Sequence, residues 1–278
     1  MNMTQAIIAG LIGLLAGFGI GNWNDDESIE YGYRNRVDMQ EKMEEMMGGD
    51  TTPLAEDYVS MRPGVMSLAS ETLSTEEQNG LVFMREEEKL ARDVYLKLYE
   101  KWGIPIFNNI AQSEQTHTEA VKDLLDKYNL TDPVADDTVG VFANADLADL
   151  YDELVALGEQ SKEDALRVGA TIEDLDIADL EEQLALTDNA DIALVYKNLQ
   201  RGSRNHLRSF VGQLENMGES YAPEYISQSE YDSITGSNRE TGNDVQRGWG
   251  GNGGRSGGNG MMDGNGGGMM GGQGGGRN

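Results

Sequence analysis

Two histidines occur in the whole chain, His117 and His206, and each falls inside a stretch with helical spacing. Glu114 stands three residues before the first, so the pair shares one face of a helix. A Glu and a His three apart, aimed into a core, is a donor set by which helices hold two metal ions: the carboxylate can bridge both while the imidazole binds one. Other ionisable residues interrupt rows that are otherwise apolar. Glu88 lies among Leu81, Met84, Ala91, Tyr95 and Leu98, and Glu114 and His117 lie among Ile110, Val121 and Leu124. Glu173 and Asp176 share a face with Leu166 and Leu180, and His206 shares one with Tyr196, Leu199, Ser203 and Phe210. An ionised carboxylate buried without a partner is strongly unfavourable, so four acids facing one interior demand cationic compensation. Two divalent ions about 3.5–4 Å apart would supply it and would be near enough to bind O2 or peroxide between them. The competing reading puts the acids at an edge or pairs them with Arg92, Arg167 or Arg204, with both histidines as ordinary core residues.

The elements that must position these residues are legible from their caps. Ser74 with Glu77 forms a capping-box pattern opening a helix that runs to Gly103 and is stopped by Pro105. A second helix extends from Pro105 to about Asn129, and Thr131 to Ala143 is a loop. Asn144 then caps a short helix ending at Gly158. Ser161 opens a third long helix reaching about Leu186, and Asp188 or Asn189 opens a fourth that ends at Gly218. Two helices with a tight turn, a long crossover bearing a small extra helix, then two more with a tight turn is the connection pattern of ferritin-like bundles. The expected architecture is therefore all-α, a four-helix bundle over residues 71–235.

Composition narrows the partners. The formal charge is −28, from 49 acidic against 21 basic residues, which repels nucleic-acid phosphates and anionic membrane surfaces and argues against nucleic-acid binding. Such acidity serves solubility or concentrates cations. The chain has no cysteine, which excludes disulfides, zinc ribbons, iron–sulfur ligation and a rubredoxin-type relay within it. Any metal must be held by oxygen and imidazole nitrogen, a set that suits iron, manganese or zinc.

The flanks differ from the centre. Ala6 to Gly21 is apolar and uncharged and is followed by Asp25, Asp26 and Glu27, so residues 1–21 read as a signal peptide or a membrane anchor. No basic residues precede the apolar run, as a signal would have, whereas Gly13, Gly17 and Gly21 recur at the spacing that lets membrane helices approach. In either case the acidic flank belongs on the extracytoplasmic side, with membrane association through residues 6–21 in the anchored form. Residues 22–70 form an acidic, Met-rich linker with a short helix around Met39, Met43, Met46 and Met47, interleaved with Glu41, Glu44 and Glu45; copper binding is the alternative use of these methionines. Residues 236–278, rich in Gly and Met, cannot form a core and are expected to be a disordered tail.

Four segments carry a family resemblance: Met84 to Tyr95 (MREEEKLARDVY), Ser113 to His117 (SEQTH), Ile172 to Leu180 (IEDLDIADL) and Arg201 to His206 (RGSRNH). Together they resemble the ferritin-like superfamily and, within it, the uncharacterised family called domain of unknown function 2202. The resemblance covers about half the chain. Rubrerythrins have a first-helix Glu with Arg four residues on and Tyr seven on, the pattern of Glu88, Arg92 and Tyr95, which selects Glu88 over Glu86 and Glu87. The resemblance further implies Glu114 as bridging ligand, His117 as terminal ligand, Glu173 as third-helix ligand and His206 as the second imidazole, with Asp176 at the place of an extra acid. One departure stands out: the fourth-helix Glu expected three residues before the His is Ser203. The function so implied is a diiron oxidoreductase, with manganese as the alternative metal, reducing O2 or peroxide with electrons from an external donor and assembling as a homo-oligomer. Tyr95 is then either a redox-active neighbour or a core residue. The alternatives are a metal-sequestering or sensing protein without turnover and a metal-free structural bundle.

Overall fold

The computed structural model describes residues 56–241, which form seven α-helices and no strand. In chain order these are α1 (Glu56–Ser67), α2 (Thr75–Trp102), α3 (Pro105–Lys127), α4 (Ala145–Gly158), α5 (Lys162–Leu186), α6 (Ala190–Asn216) and α7 (Gln228–Thr235). The capping box at Ser74 is formed in both directions, with Ser74 Oγ accepting from the Glu77 amide and Glu77 accepting from the Ser74 amide. Helix α2 ends at Gly103 with φ +62°, a left-handed cap that suits glycine, and Pro105 opens α3 two residues later. Asn144 and Ser161 cap α4 and α5 by accepting from Asp146 and Asp164 amides.

Each of the four long helices touches two others. The pairs α2–α3 and α5–α6 pack most extensively, and α2–α5 and α3–α6 contacts close the ring. All the inward residues expected from spacing are buried, from Leu81 to Leu98 on α2 through Tyr196 to Phe210 on α6. Their apolar members separate into two clusters. One holds Ala91, Tyr95, Leu98, Phe107, Ile110, Leu166 and Phe210; the other holds Leu81, Met84, Val121, Leu124, Leu180, Tyr196 and Leu199. On α2, α3 and α6 the residues at the junction of these clusters are Glu88, Glu114 and His117, and Ser203 and His206. The acids and imidazoles thus form a polar layer between two apolar ones.

Helix α2 is buried on a second face as well, which heptad spacing does not anticipate. The connection between α3 and α4 lies across it, held by Arg85 to Asp132, Lys89 to the Thr138 carbonyl, Arg92 to Asp137, and Asp93 to the Gly140 amide. Glu86 accepts from the Ala143 and Asn144 amides at the start of α4, where unpaired amides and the helix dipole favour an anion. Lys89 and Asp93 are fully buried and paired to each other.

The packed part extends beyond residues 71–235. Helix α1 lies within the stretch read as linker, yet Val65 is fully buried and Lys127 donates to the Val65 and Leu68 carbonyls, tying α1 to α3. At the other end Glu240 accepts from Arg204 and Arg208, while the Asn205 amide group bonds the Glu240 backbone both ways. Both additions depend on pairings distant in sequence. Asp174 fastens the stretch before α7 by accepting from Tyr221 Oη and from the amides of Glu224, Tyr225 and Ile226. The signal or anchor reading of 1–21, the Met39–Met47 helix and the Gly- and Met-rich tail beyond residue 241 lie outside the described residues. Among the described residues no helix is long and apolar enough to cross a membrane.

Candidate metal centre

Five of the six expected ligands converge as two overlapping groups. Glu88, Glu114 and His117 each offer a ligand atom within 4.8 Å of one another, and Glu114, Glu173 and His206 do the same. Glu114 belongs to both. One of its oxygens, Oε2, lies 2.7 Å from His117 Nδ1, and the other, Oε1, lies 2.7 Å from His206 Nδ1. Glu88 Oε2 is 3.2 Å from His117 Nδ1 and Glu173 Oε2 is 3.4 Å from His206 Nδ1. The two imidazoles stack with centroids 5.7 Å apart, both turning Nδ1 toward the carboxylates. Asp176, 1 % exposed, stands beside Glu88, Glu173 and Glu114 on α5 but is in neither group.

The arginines offered as alternative partners are engaged elsewhere. Arg92 pairs with Asp93 and Asp137, Arg167 with Glu163 and Glu219, and Arg204 with Glu240. The ligand atoms are correspondingly under-satisfied. Glu88 Oε1, both oxygens of Glu114, Glu173 Oε2, Asp176 Oδ2 and His206 Nδ1 are buried without a properly directed hydrogen bond. Buried polar atoms are nearly always paired, so this group of unpartnered atoms is one that could hold a cation. Oxygen and imidazole donors fit iron, manganese or zinc.

Electrostatics agree with this geometry. Burial pushes the Glu88 carboxyl up to about 7, with the neighbouring His117 opposing the rise. Burial likewise raises Glu173 and drives Asp176 far above the carboxylate range, the latter reinforced by Glu88, Glu173 and Glu114. Burial acts the same way on Glu114, but His117 and His206 outweigh it and hold this carboxyl below the usual range. Burial disfavours a charged imidazole, yet Glu173 and Glu114 raise His206 to about 9, and Glu114 and Glu88 raise His117 well above its ordinary value. Without a metal, protons neutralise the layer; a metal would displace them.

The three consecutive acids of α2 are separated by their partners. Glu86 caps α4, Glu88 joins the first group, and Glu87 faces Asp179 of α5 as a buried acid–acid pair. Burial first, and then the neighbouring Asp179, raises the Glu87 carboxyl well above its ordinary value. Spacing could have flagged Asp179, which lies three residues after Asp176 on the same helix face.

Two neighbours escaped sequence reasoning altogether. Ser113 Oγ lies 3.1 Å from His206 Nε2, and Gly202 leaves room for His117, whose Cε1 would lie 2.5 Å from a Cβ there. Neither carries a sequence signal. Tyr95, by contrast, was named from the sequence, and its hydroxyl donates to Glu173 Oε1 at 2.6 Å while its ring packs on Phe107 and Phe210. Ser203 donates to the Leu199 carbonyl of its own helix and supplies no ligand atom to either group.

Comparison with known proteins places the chain in a family. The model of the uncharacterized protein domain DUF2202 matches residues 77–238, more than half the chain. The chain belongs to this family. The DUF2202 match spans α2 to α7 and contains every residue of the two groups. The chain is also similar to the uncharacterized protein MJ0754 of Methanocaldococcus jannaschii, with 58 % identity over 178 residues, covering 64 % of this chain and 96 % of that one. A crystal structure of the same M. jannaschii protein aligns with a TM-score of 0.62 and 59 % identity, covering 63 % of this chain and 99 % of that one.

Proposed function

We propose that this DUF2202 protein is a ferritin-like di-metal carboxylate protein whose four long helices hold two iron ions, and that it acts as an oxidoreductase on O2 or peroxide. The observation that carries the reading is the pair of ligand groups hinged on Glu114, with buried oxygens and a nitrogen that lack hydrogen-bond partners. The ring of α2, α3, α5 and α6, with one long crossover bearing α4, supports the ferritin-like assignment. Glu88 and His117 would hold one ion, Glu173 and His206 the other, and Glu114 both. Asp176, which interacts electrostatically with Glu88, Glu173 and Glu114, is a further buried carboxylate that could take the place left by Ser203. Two irons there would supply the one-electron couples that reduction of O2 or peroxide requires.

The protein's own part is positioning and proton control. The Tyr95 hydroxyl fixes Glu173 Oε1 and so leaves Oε2 facing the centre. In the metal-free protein burial and three neighbouring carboxylates favour the protonated form of Asp176, which would give up that proton on taking a ligand's place. The apolar clusters above and below exclude water, which strengthens each charge–charge interaction in the layer. Residues 1–278 contain no cysteine, so a thiolate-ligated electron relay would lie outside them.

The test is to load metal-depleted protein with iron(II) under anaerobic conditions and admit O2 or peroxide. Rapid oxidation that is lost in Glu88→Ala and His117→Ala supports the proposal, and equal oxidation in both variants refutes it. Metal sequestration without turnover is the second reading, favoured by Ser203 where the resemblance calls for a carboxylate. Stoichiometric uptake with no peroxide consumption would select it.

A further inference from the structure

The two ligand groups share Glu114 but are not braced alike. In the group of Glu173 and His206 each terminal ligand has an outer partner. Tyr95 Oη donates to Glu173 Oε1 at 2.6 Å and is itself locked between Phe107 and Phe210. His206 Nε2 lies 3.1 Å from Ser113 Oγ, and with Nδ1 given to a metal the proton would sit on Nε2 and be donated to that hydroxyl. Glu173 and His206 side chains are also fully buried. In the other group, Glu88 Oε1 has no partner, and among the described residues nothing hydrogen-bonds His117 except through the Nδ1 that faces the carboxylates. The His117 ring instead rests against Gly202, and its side chain is 7 % exposed, the most of the five ligands.

Outer hydrogen bonds orient metal ligands in advance, and losing one typically weakens binding about 10–100-fold. Ligands that must be ordered at the moment of binding lower the affinity by that ordering cost. We infer that the two positions are unequal: the one formed by Glu114, Glu173 and His206 fills first and retains its ion, whereas the one formed by Glu88, Glu114 and His117 fills second and exchanges at the solvent edge. Ser113 and Tyr95 are positioning residues for the first, and Gly202 is a positioning residue for the second. This rests on the di-metal reading above.

The experiment is a stepwise manganese(II) titration of metal-depleted, full-length protein, followed by electron paramagnetic resonance and by calorimetry. The expected result is the hyperfine-split spectrum of an isolated ion up to one equivalent and a spin-coupled spectrum only as the second enters. Ser113→Ala and Tyr95→Phe should each weaken the first step about 10–100-fold. Gly202→Ala should stop uptake at one equivalent with the isolated-ion spectrum persisting in excess metal, and His117→Gln should do the same if the alanine variant does not fold. A coupled spectrum growing in proportion from the first addition, or two equivalents retained in both Gly202→Ala and His117→Gln, would overturn the inequality while leaving the di-metal reading intact. Wild-type protein that takes up no manganese, zinc or iron would remove that reading and this inference with it.

Discussion

Glu114→Gln is the substitution with the sharpest consequence, because Glu114 is common to both ligand groups. The amide preserves volume but removes the charge and one acceptor, so the two positions lose their shared bridge: one falls from three candidate ligands to two and the other keeps only a neutral amide oxygen. With free metal at a hundredfold excess over Kd, one filled position stabilises the native state by about 2.7 kcal/mol, and two independent positions by about 5 kcal/mol. For a domain of this size each kcal/mol moves Tm by about 2–4 °C, so manganese should raise the wild-type midpoint by about 10–20 °C. In Glu114→Gln that rise should fall to a few degrees at most. The assay is a thermal melt of metal-depleted protein with and without manganese(II), using Glu86→Gln as the matched control. Glu86 lies on the same helix as Glu88 but holds the start of α4, so its loss should lower the metal-free Tm and leave the metal-induced rise in place. A full rise in Glu114→Gln, or none in Glu86→Gln, would refute the assignment of roles.

Other outcomes follow from the same structure. His206 at about 9 and Glu88 at about 7 must both deprotonate to bind metal, so affinity should weaken as pH falls below neutral and strengthen up to about pH 9. Binding should release protons, seen as a buffer-dependent heat in calorimetry. Both groups are raised above their unfolded values, so the stability that protonation gives the metal-free protein fades as pH climbs through Glu88 near 7 and His206 near 9. Urea midpoints of metal-free protein should therefore fall from pH 6 to about pH 9, and a flat profile would contradict the burial of these groups. Asp93→Leu should cost roughly 3–5 kcal/mol by urea unfolding, since it leaves the fully buried Lys89 without a counter-charge, held only by the Thr138 carbonyl and the face of the Phe142 ring. Gly169→Ala drives a Cβ to 2.5 Å from the Phe210 ring, so it should destabilise by about 1–3 kcal/mol through overpacking and disturb the adjacent Tyr95. Wild-type stability in that variant would show the ring to be free to move aside.

Local chemistry was enough to write much of this protein from its sequence. Capping residues, left-handed glycines and prolines act within one turn, so the starts of α2 to α5 and the end of α2 could be read from Ser74, Gly103, Pro105, Asn144 and Ser161. Heptad spacing likewise placed Glu88, Glu114, His117, Glu173, Asp176 and His206 in the interior, because a helix fixes which residues share a face. Which partner each charge meets was decided only by tertiary packing. Heptad spacing singles out Glu88, but nothing local says that Glu86 caps α4 or that Glu87 meets Asp179. The docking of α1, the crossover laid over α2, the notch at Gly202 and the Ser113 brace on His206 depend on where distant segments come to rest. Periodicity specifies a direction from the helix axis, whereas a ligand set requires distances between helices, and those are fixed when the two apolar clusters close on the polar layer between them.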